Sequence, residues 1–254
     1  MRQKNKAILT FDLDFWHSGM FSRKYLPQDK SHLEDFVQEP IDYLLPLLKK
    51  HGQKATFFVL GKIAEKYPQV IRQIDRGGHE IASHGYSHRP LFDLTPETLE
   101  KEIKRSKQVL EQITKKQVFG FRAPNFTLNS QTSWTIPILK KYFQYDSSIH
   151  PFCLKKINLQ FKEVYPCLGG FYFRALPLPL YLLSLKYFSK FDLPVVFLHP
   201  YELIAHSPRI KSLPWLKYRI KYIGLRSSQF KFKKLLKQFK FISIKEYLYE
   251  GSTH

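Results

Sequence analysis

The sequence predicts an α/β fold, a parallel sheet or β/α barrel, and three observations predict it. Short apolar runs of strand length alternate with longer runs of helical period. The ionisable motifs fall at or just after the ends of the predicted strands, where parallel α/β architectures bind ligands. No internal repeat, low-complexity tract or linker divides the 254 residues, so one domain spanning 1–254 is expected.

The elements follow in order. Lys6 to Asp12 is a buried strand, and Glu39 to His51 carries Ile41, Leu44, Leu45 and Leu48 at helical spacing. Ala55 to Leu60 is a second strand. Lys62 to Arg76 is helical, interrupted near Pro68 and ended by Gly77-Gly78. His79 to Ser83 is a third strand. Thr95 can cap the clearest helix, with Pro96 at its first position and an apolar stripe of Leu99, Ile103, Val109, Leu110 and Ile113. Val118 to Phe121 is a strand, and Ser130 to Tyr142 is a helix bent or broken by Pro137. The stretch His150 to Phe173 reads as an insertion with short strands. Leu180 to Phe188 is helical, Leu193 to Leu198 a strand, Ser227 to Phe239 a basic helix and Phe241 to Ile244 a last strand.

Composition narrows the class. A hydrophobic content of 43% against 24% charge excludes disorder for the bulk of the chain. The 22 Phe and 15 Tyr can fill a core, and some can line a carbohydrate cleft. Cys153 and Cys167 are expected to be buried free thiols, in keeping with a reducing compartment. No uncharged apolar stretch of about 18 residues occurs, so no membrane span is expected. The apolar run Ala7 to Phe11 is too short for a secretion signal. The expected location is therefore the cytoplasm, with a peripheral position on the inner face of the membrane as a further expectation. The formal net charge is +20, and residues 203–245 hold twelve Lys and Arg but no Asp or Glu. That basic region is either a set of solvated faces or a patch for an anionic membrane surface or anionic substrate. No nucleic-acid-binding motif accompanies the charge, so no specific nucleic-acid partner is expected. The sequence leaves a homo-oligomer open.

Four segments carry chemistry. In Thr10-Phe11-Asp12-Leu13-Asp14, the two aspartates lie two apart and point the same way in extended chain. Two close carboxylates suit a site where one binds a cation and the other acts as base. Ser83-His84-Gly85-Tyr86-Ser87-His88 places two histidines four apart. With one carboxylate they form a two-His, one-carboxylate set that leaves positions open for water and substrate. In Phe121-Arg122-Ala123-Pro124-Asn125-Phe126, Arg122 can hold a carboxylate through its planar fork. His199 follows the apolar strand Val195 to Leu198, and Asp146 can serve as its carboxylate partner for general-acid work.

In this order the segments resemble the motifs of the polysaccharide deacetylase family, the NodB-homology or carbohydrate esterase family 4 group. The first three segments match its first three motifs, Asp146-Ser147-Ser148 resembles the fourth and Leu198-His199 the fifth. Gly169 to Arg174 and His199-Pro200-Tyr201-Glu202 resemble a subgroup found with bacterial exopolysaccharide loci of the exosortase-associated type. Where many members have adjacent aspartates followed by Gly, Leu13 separates them here and Phe15 follows. No tryptophan accompanies the fourth motif near Asp146.

The resemblance implies a distorted β/α barrel, a divalent metal and hydrolysis of the N-acetyl amide of an amino sugar. The implied metal is zinc, with cobalt, nickel or manganese as substitutes. The implied substrate is a polysaccharide or lipid-linked glycan. Asp14, His84 and His88 would hold the metal, and Asp12, positioned by Arg122, would act as base. His199, supported by Asp146, would protonate the leaving nitrogen. Asn125, Phe126, Phe197 and Leu198 would bind substrate, and a backbone N–H near Phe126 would help stabilise the oxyanion. Two alternatives stand beside it: a cyclic imide or ureide hydrolase of the same fold, and a non-catalytic glycan-binding relative. Assay on an N-acetylglucosamine oligomer against hydantoin separates the first, and metal analysis the second.

Overall fold

A computed structural model describes residues 5–19, 22–26, 35–149, 162–164, 169–190 and 192–250. Cys153 and Cys167 lie outside the described residues, as does most of the expected insertion. The elements run β1 (Asn5–Leu13), α1 (Gln38–Lys50), β2 (Thr56–Val59), α2 (Gly61–Lys66), α3 (Pro68–Arg76), β3 (Glu80–Ser83), α4 (Pro96–Thr114), β4 (Gly120–Phe121) and α5 (Ile136–Tyr142). They continue with β5 (Tyr145–Asp146), β6 (Lys162–Glu163), α6 (Gly170–Ala175), α7 (Leu178–Phe188), β7 (Val195–Leu198), α8 (Trp215–Tyr222), α9 (Leu225–Gln238) and β8 (Phe239–Ile242).

All eight strands pair in parallel, in the order β6-β5-β4-β3-β2-β1-β7, with β8 also on β1. Parallel pairs need crossovers, and helices supply them. β1 is long enough to serve three neighbours: Asn5 to Ile8 pair with β8, Ile8 to Phe11 with β7, and Thr10 to Leu13 with β2. The sheet curls into a distorted β/α barrel whose outer strands β6 and β7 do not pair with each other among the described residues.

Alternation along the strands builds two apolar layers. Leu9, Phe11, Phe57, Val59, Val196 and Leu198 face the helices and join Ile41, Ile63, Ile103, Phe232 and Leu235 in the main core. Phe11 stacks on Phe57 at 5.0 Å and meets the edge of Phe232 at 6.1 Å. Each such ring withdraws apolar surface worth about 2–3 kcal/mol. The opposite parity, Ile8, Phe58, Ala82, Tyr145 and Val195, lines the inside of the curl.

Helix boundaries follow local chemistry. The Thr95 hydroxyl accepts from the Thr98 N–H while the Thr98 hydroxyl accepts from the Thr95 N–H, and Pro96 opens α4. Pro68 separates α2 from α3 by starting the second. Pro137 does the same for α5: it sits in the first turn, where no N–H is needed, after a 3-10 turn over Ser130–Thr135. β8 begins two residues before its expected start because pairing with β1 begins at Phe239. The short strands β5 and β6 and the helices α6 and α8 had no clear periodic signal. No helix among the described residues is long and apolar enough to cross a membrane.

His79, at the turn into β3, is buried, and its Nδ1 has no hydrogen-bond partner among the described residues. Burial, helped by the Lys54 charge, lowers its pKa to about 4. The unfolded chain therefore takes up this proton near pH 6.5 and the folded one only near pH 4. Stability is full above pH 6.5, falls between these values and levels below pH 4, by at most about 3 kcal/mol. Melting followed by circular dichroism from pH 7 to 4.5 should show this loss, and His79→Leu should lessen it.

Candidate metal centre and active site

The site forms where β1, β3, β4 and β7 end. Thr10 and Asp12 share the inward face of β1, and Asp14 follows just beyond the strand. All three are buried. Arg122, immediately after β4, is fully buried and reaches across the curl. Its Nη1 donates to Asp12 Oδ1 at 2.6 Å and to Thr10 Oγ1 at 3.0 Å. Its Nε and Nη2 donate to the carbonyl and hydroxyl of Ser147 at 3.1 and 2.9 Å. The guanidinium also lies 4.0 Å from the centre of the Phe58 ring. Asp12 is thereby held in one orientation by a charged fork that is itself held on every side.

His84 leaves β3 with its Nδ1 2.8 Å from the Arg122 carbonyl oxygen. A carbonyl only accepts, so Nδ1 carries the hydrogen and Nε2 presents its lone pair. Burial lowers the ring's pKa to about 4, which keeps it neutral and ready to ligate. The loop from His84 to His88 is pinned from behind. Glu102 on α4 accepts from the Tyr86 and Ser87 N–H groups and from the Ser87 hydroxyl at 3.2, 2.8 and 2.6 Å. Gly61 lets α2 lie against this loop, since a Cβ there would stand 2.5 Å from the Tyr86 ring. Gly85, at φ 76°, makes the turn that brings His88 back.

His88 Nε2 lies 3.1 Å from Asp14 Oδ2. One ligand atom each from Asp14, His84 and His88 falls within 4.8 Å of the other two, and all three residues are buried. Asp14 Oδ1 is buried without a hydrogen-bond partner among the described residues. Burial opposes its charge, yet the facing rings of His199, His88 and His84 hold its carboxyl below the usual range. A buried, ionised carboxylate with an orphan oxygen beside two imidazoles is a donor set that fits a divalent cation. The expected metal residues are thus brought together.

His199, after β7, faces this cluster with Nε2 4.0 Å from Asp14 Oδ2. At 22% side-chain exposure its ring is more open to solvent than Asp14 or His88. The structure corrects its expected partner. Asp146 accepts from the Ser148 N–H and hydroxyl at 2.8 and 2.7 Å, and the Ser148 hydroxyl accepts from the Ala123 N–H at 2.7 Å. Asp146 therefore braces the loop that carries Arg122.

The carboxylate beside His199 is Glu202. Its Oε2 accepts from the His199 N–H at 2.9 Å and lies 3.3 Å from Nδ1. Arg174 on α6 locks it, Nε to Oε1 at 3.0 Å, and donates Nη1 to the Ile223 carbonyl at 2.7 Å. Burial works against a charged His199, but Asp14 and Glu202 outweigh it and raise the pKa to about 9. Burial likewise opposes the charge of Glu202, but Arg174 and His199 bring its pKa down to about 2.

Two expectations for the substrate wall need revision. Phe126 and Phe197 meet at 4.8 Å and form an aromatic wall over Arg122. Leu198, one residue on, has the opposite parity and is fully buried in the core with Val196, so it does not line the site. Asn125 and Phe126 both take left-handed backbone, φ 56° and 52°, after Pro124. The Phe126 N–H is already donated to the Ala123 carbonyl at 3.1 Å, which removes it as an oxyanion donor.

A model of the polysaccharide deacetylases matches residues 2–141, more than half of the chain. The chain belongs to the polysaccharide deacetylase family. Residues 140–249 match a second model, a domain of unknown function. Both matched stretches share the sheet, since β1 pairs with β7 and β8. Among relatives, a peptidoglycan-N-acetylglucosamine deacetylase of Bacillus cereus is 34% identical over 92 residues, 36% of this chain and 34% of its own. A peptidoglycan deacetylase of Helicobacter pylori is 32% identical over 131 residues, covering 52% and 44%. The chain thus spans less than half the length of these relatives.

Solved structures of the family show the same fold. A Mycobacterium smegmatis protein assigned to the polysaccharide deacetylases superposes with TM-score 0.65 at 20% identity, over 97% of this chain and 90% of that one. A Bacillus anthracis pseudoenzyme of carbohydrate esterase family 4 superposes at 0.56 and 16% identity, over 97% and 66%.

Proposed function

We propose that this polysaccharide deacetylase family member is a metal-dependent hydrolase of the N-acetyl amide of an amino sugar in a bacterial polysaccharide or lipid-linked glycan. A pseudoenzyme shares the fold, so the side chains must carry the reading. The observation that carries it is a buried carboxylate, Asp12, gripped by Arg122 beside an Asp14, His84 and His88 cluster whose Asp14 Oδ1 is orphaned. The relatives named as peptidoglycan and chitin deacetylases support an acetylated amino sugar as substrate. The residues behind the resemblance to the exopolysaccharide-associated subgroup, Arg174 and His199 to Glu202, are also those that build the support of His199.

Asp14 Oδ, His84 Nε2 and His88 Nε2 would hold the cation, and oxygen and imidazole donors of this kind suit zinc, with cobalt, nickel or manganese as substitutes. When bound, the metal supplies Lewis acidity to the amide carbonyl and to the attacking water. Asp12 takes a proton from that water as its oxygen bonds to the carbonyl carbon. Arg122 keeps the receiving carboxylate oriented. The carbon–nitrogen bond then breaks, and His199, protonated by virtue of Glu202, gives its proton to the sugar nitrogen. Acetate and a free amine leave. Phe126 and Phe197 offer the acetyl methyl an apolar wall.

The test is metal analysis followed by acetate release from N-acetylglucosamine oligomers, with hydantoin as the competing substrate. One divalent ion per chain is expected, with activity lost to a chelator and restored by zinc. His84→Ala should weaken metal binding by more than the ~10–100-fold that loss of an outer-shell partner costs. A metal-free active protein, unchanged metal content in His84→Ala, or turnover of hydantoin alone would refute the reading.

A further inference from the structure

α8 carries its apolar face outward. Tyr218 and Tyr222 turn inward and pack against the cluster of Trp16, Ile210 and Leu213. Trp215, Leu216, Ile220 and Ile223 are exposed by 73%, 61%, 46% and 44%, and Arg219 is exposed among them. Positions 215, 216, 219, 220 and 223 form one arc of a helix at 100° per residue. No residue of α8 is buried. Four large apolar side chains on one helical face, left in water, mark a surface that meets a partner.

The position and charge of this face restrict the partner. Leu216 and Ile220 also line a cavity of about 440 Å³, which extends past Phe171 and Lys217 to Phe197 and His199. The arc therefore borders the mouth of the candidate active site. Residues 203–245 contain twelve cations and no acid, and Lys211, Arg219 and Arg226 are exposed around α8. The Arg219 guanidinium lies 5.7 Å from the Trp215 ring. Tryptophan and aliphatics on one side of a short helix, ringed by cations without counter-acids, complement a surface that is negative outside and apolar just beneath.

We propose that α8 docks this protein on an anionic lipid bilayer, with Trp215, Leu216, Ile220 and Ile223 in the headgroup boundary and the cavity to His199 opening beside it. On the deacetylase reading, on which this corollary alone rests, the amino sugar would reach His199 from the membrane side, carried on a lipid.

The metal-loaded full chain is sedimented with vesicles of phosphatidylcholine, and with vesicles of phosphatidylcholine mixed with phosphatidylglycerol, at physiological ionic strength. Binding to the mixed vesicles is expected, at least about tenfold tighter than to phosphatidylcholine alone. Trp215→Glu and Ile223→Glu should each weaken it by about tenfold or more, and Trp215→Phe should retain it. Metal content and melting temperature of the variants show that they are folded. Absence of binding to the mixed vesicles overturns the proposal. So does binding that Trp215→Glu and Ile223→Glu leave unchanged, which would report net charge only. A Trp215-dependent dimer that excludes vesicles would assign the face to a second copy instead. Acetate release from soluble sugars tests the hydrolase reading separately, so the two can fail independently.

Discussion

Asp12→Asn should reduce kcat by at least about 10²–10⁴ while metal content and KM stay within a few-fold of the parent. The substitution keeps the shape of the side chain. Its amide oxygen can still accept from Arg122 Nη1, now 2.6 Å from Asp12 Oδ1, but the group can no longer take a proton. A fall in kcat with constant KM is the signature of an interaction used in the transition state. The variant also removes the countercharge of a fully buried guanidinium. Loss of one partner of a buried pair costs about 3–5 kcal/mol when the other charge is stranded. Here Thr10 and Ser147 still accept from Arg122, which softens that cost. Thermal melting therefore accompanies the kinetics, so that a folded but slow enzyme is distinguished from an unfolded one. A kcat within tenfold of the parent in folded, metal-loaded protein would remove Asp12 from the role of base.

The framework that carries Asp12 was legible in the sequence because it is local. β1 to β3 are buried strands with turn residues at their ends, and α1 to α4 repeat apolar side chains at helical spacing. Asp12, Asp14, His84, His88, Arg122 and His199 all stand at strand ends, and a parallel sheet collects strand ends at one rim. What was misread depends on parity or on distance. Leu198 cannot share a face with Phe197, and strand period alone could have excluded it. Glu202 lies three residues after His199, so a 3-10 turn begun at Pro200 brings it back under the ring. The His-Pro-x-Glu spacing was a usable signal. Arg174 and Glu102 gave none, because each reaches the site from a helix remote in sequence. α8 escaped notice for the reason that makes it informative: its apolar residues face away from the core, and a search for an inward stripe passes over it.

Glu202→Gln tests the part of the site that the sequence placed on Asp146. His199 owes its raised pKa to Asp14 and Glu202 acting against burial. A divalent cation at Asp14 cancels much of that residue's field, so in the loaded enzyme Glu202 is the carboxylate that keeps the ring protonated. A group that must be protonated sets the alkaline limb of the rate profile. Glutamine removes the charge, the pKa of His199 falls, and the alkaline limb moves to lower pH by about one unit or more. At pH 8 kcat drops by about tenfold or more, and the loss shrinks as pH is lowered, until His199 is protonated in both proteins.

Stability should change as well. Arg174 Nε now meets Oε1 at 3.0 Å, and the charge it loses is not replaced, so destabilisation of up to about 3–5 kcal/mol is expected. Arg174→Met in the same background should recover part of it, since an apolar side chain of similar length leaves no stranded cation. If Asp146 were instead the partner of His199, Asp146→Asn would shift the alkaline limb and Glu202→Gln would not. The geometry predicts the reverse: Asp146→Asn should loosen Ser148 and the Arg122 loop, lowering kcat at every pH without moving the limb.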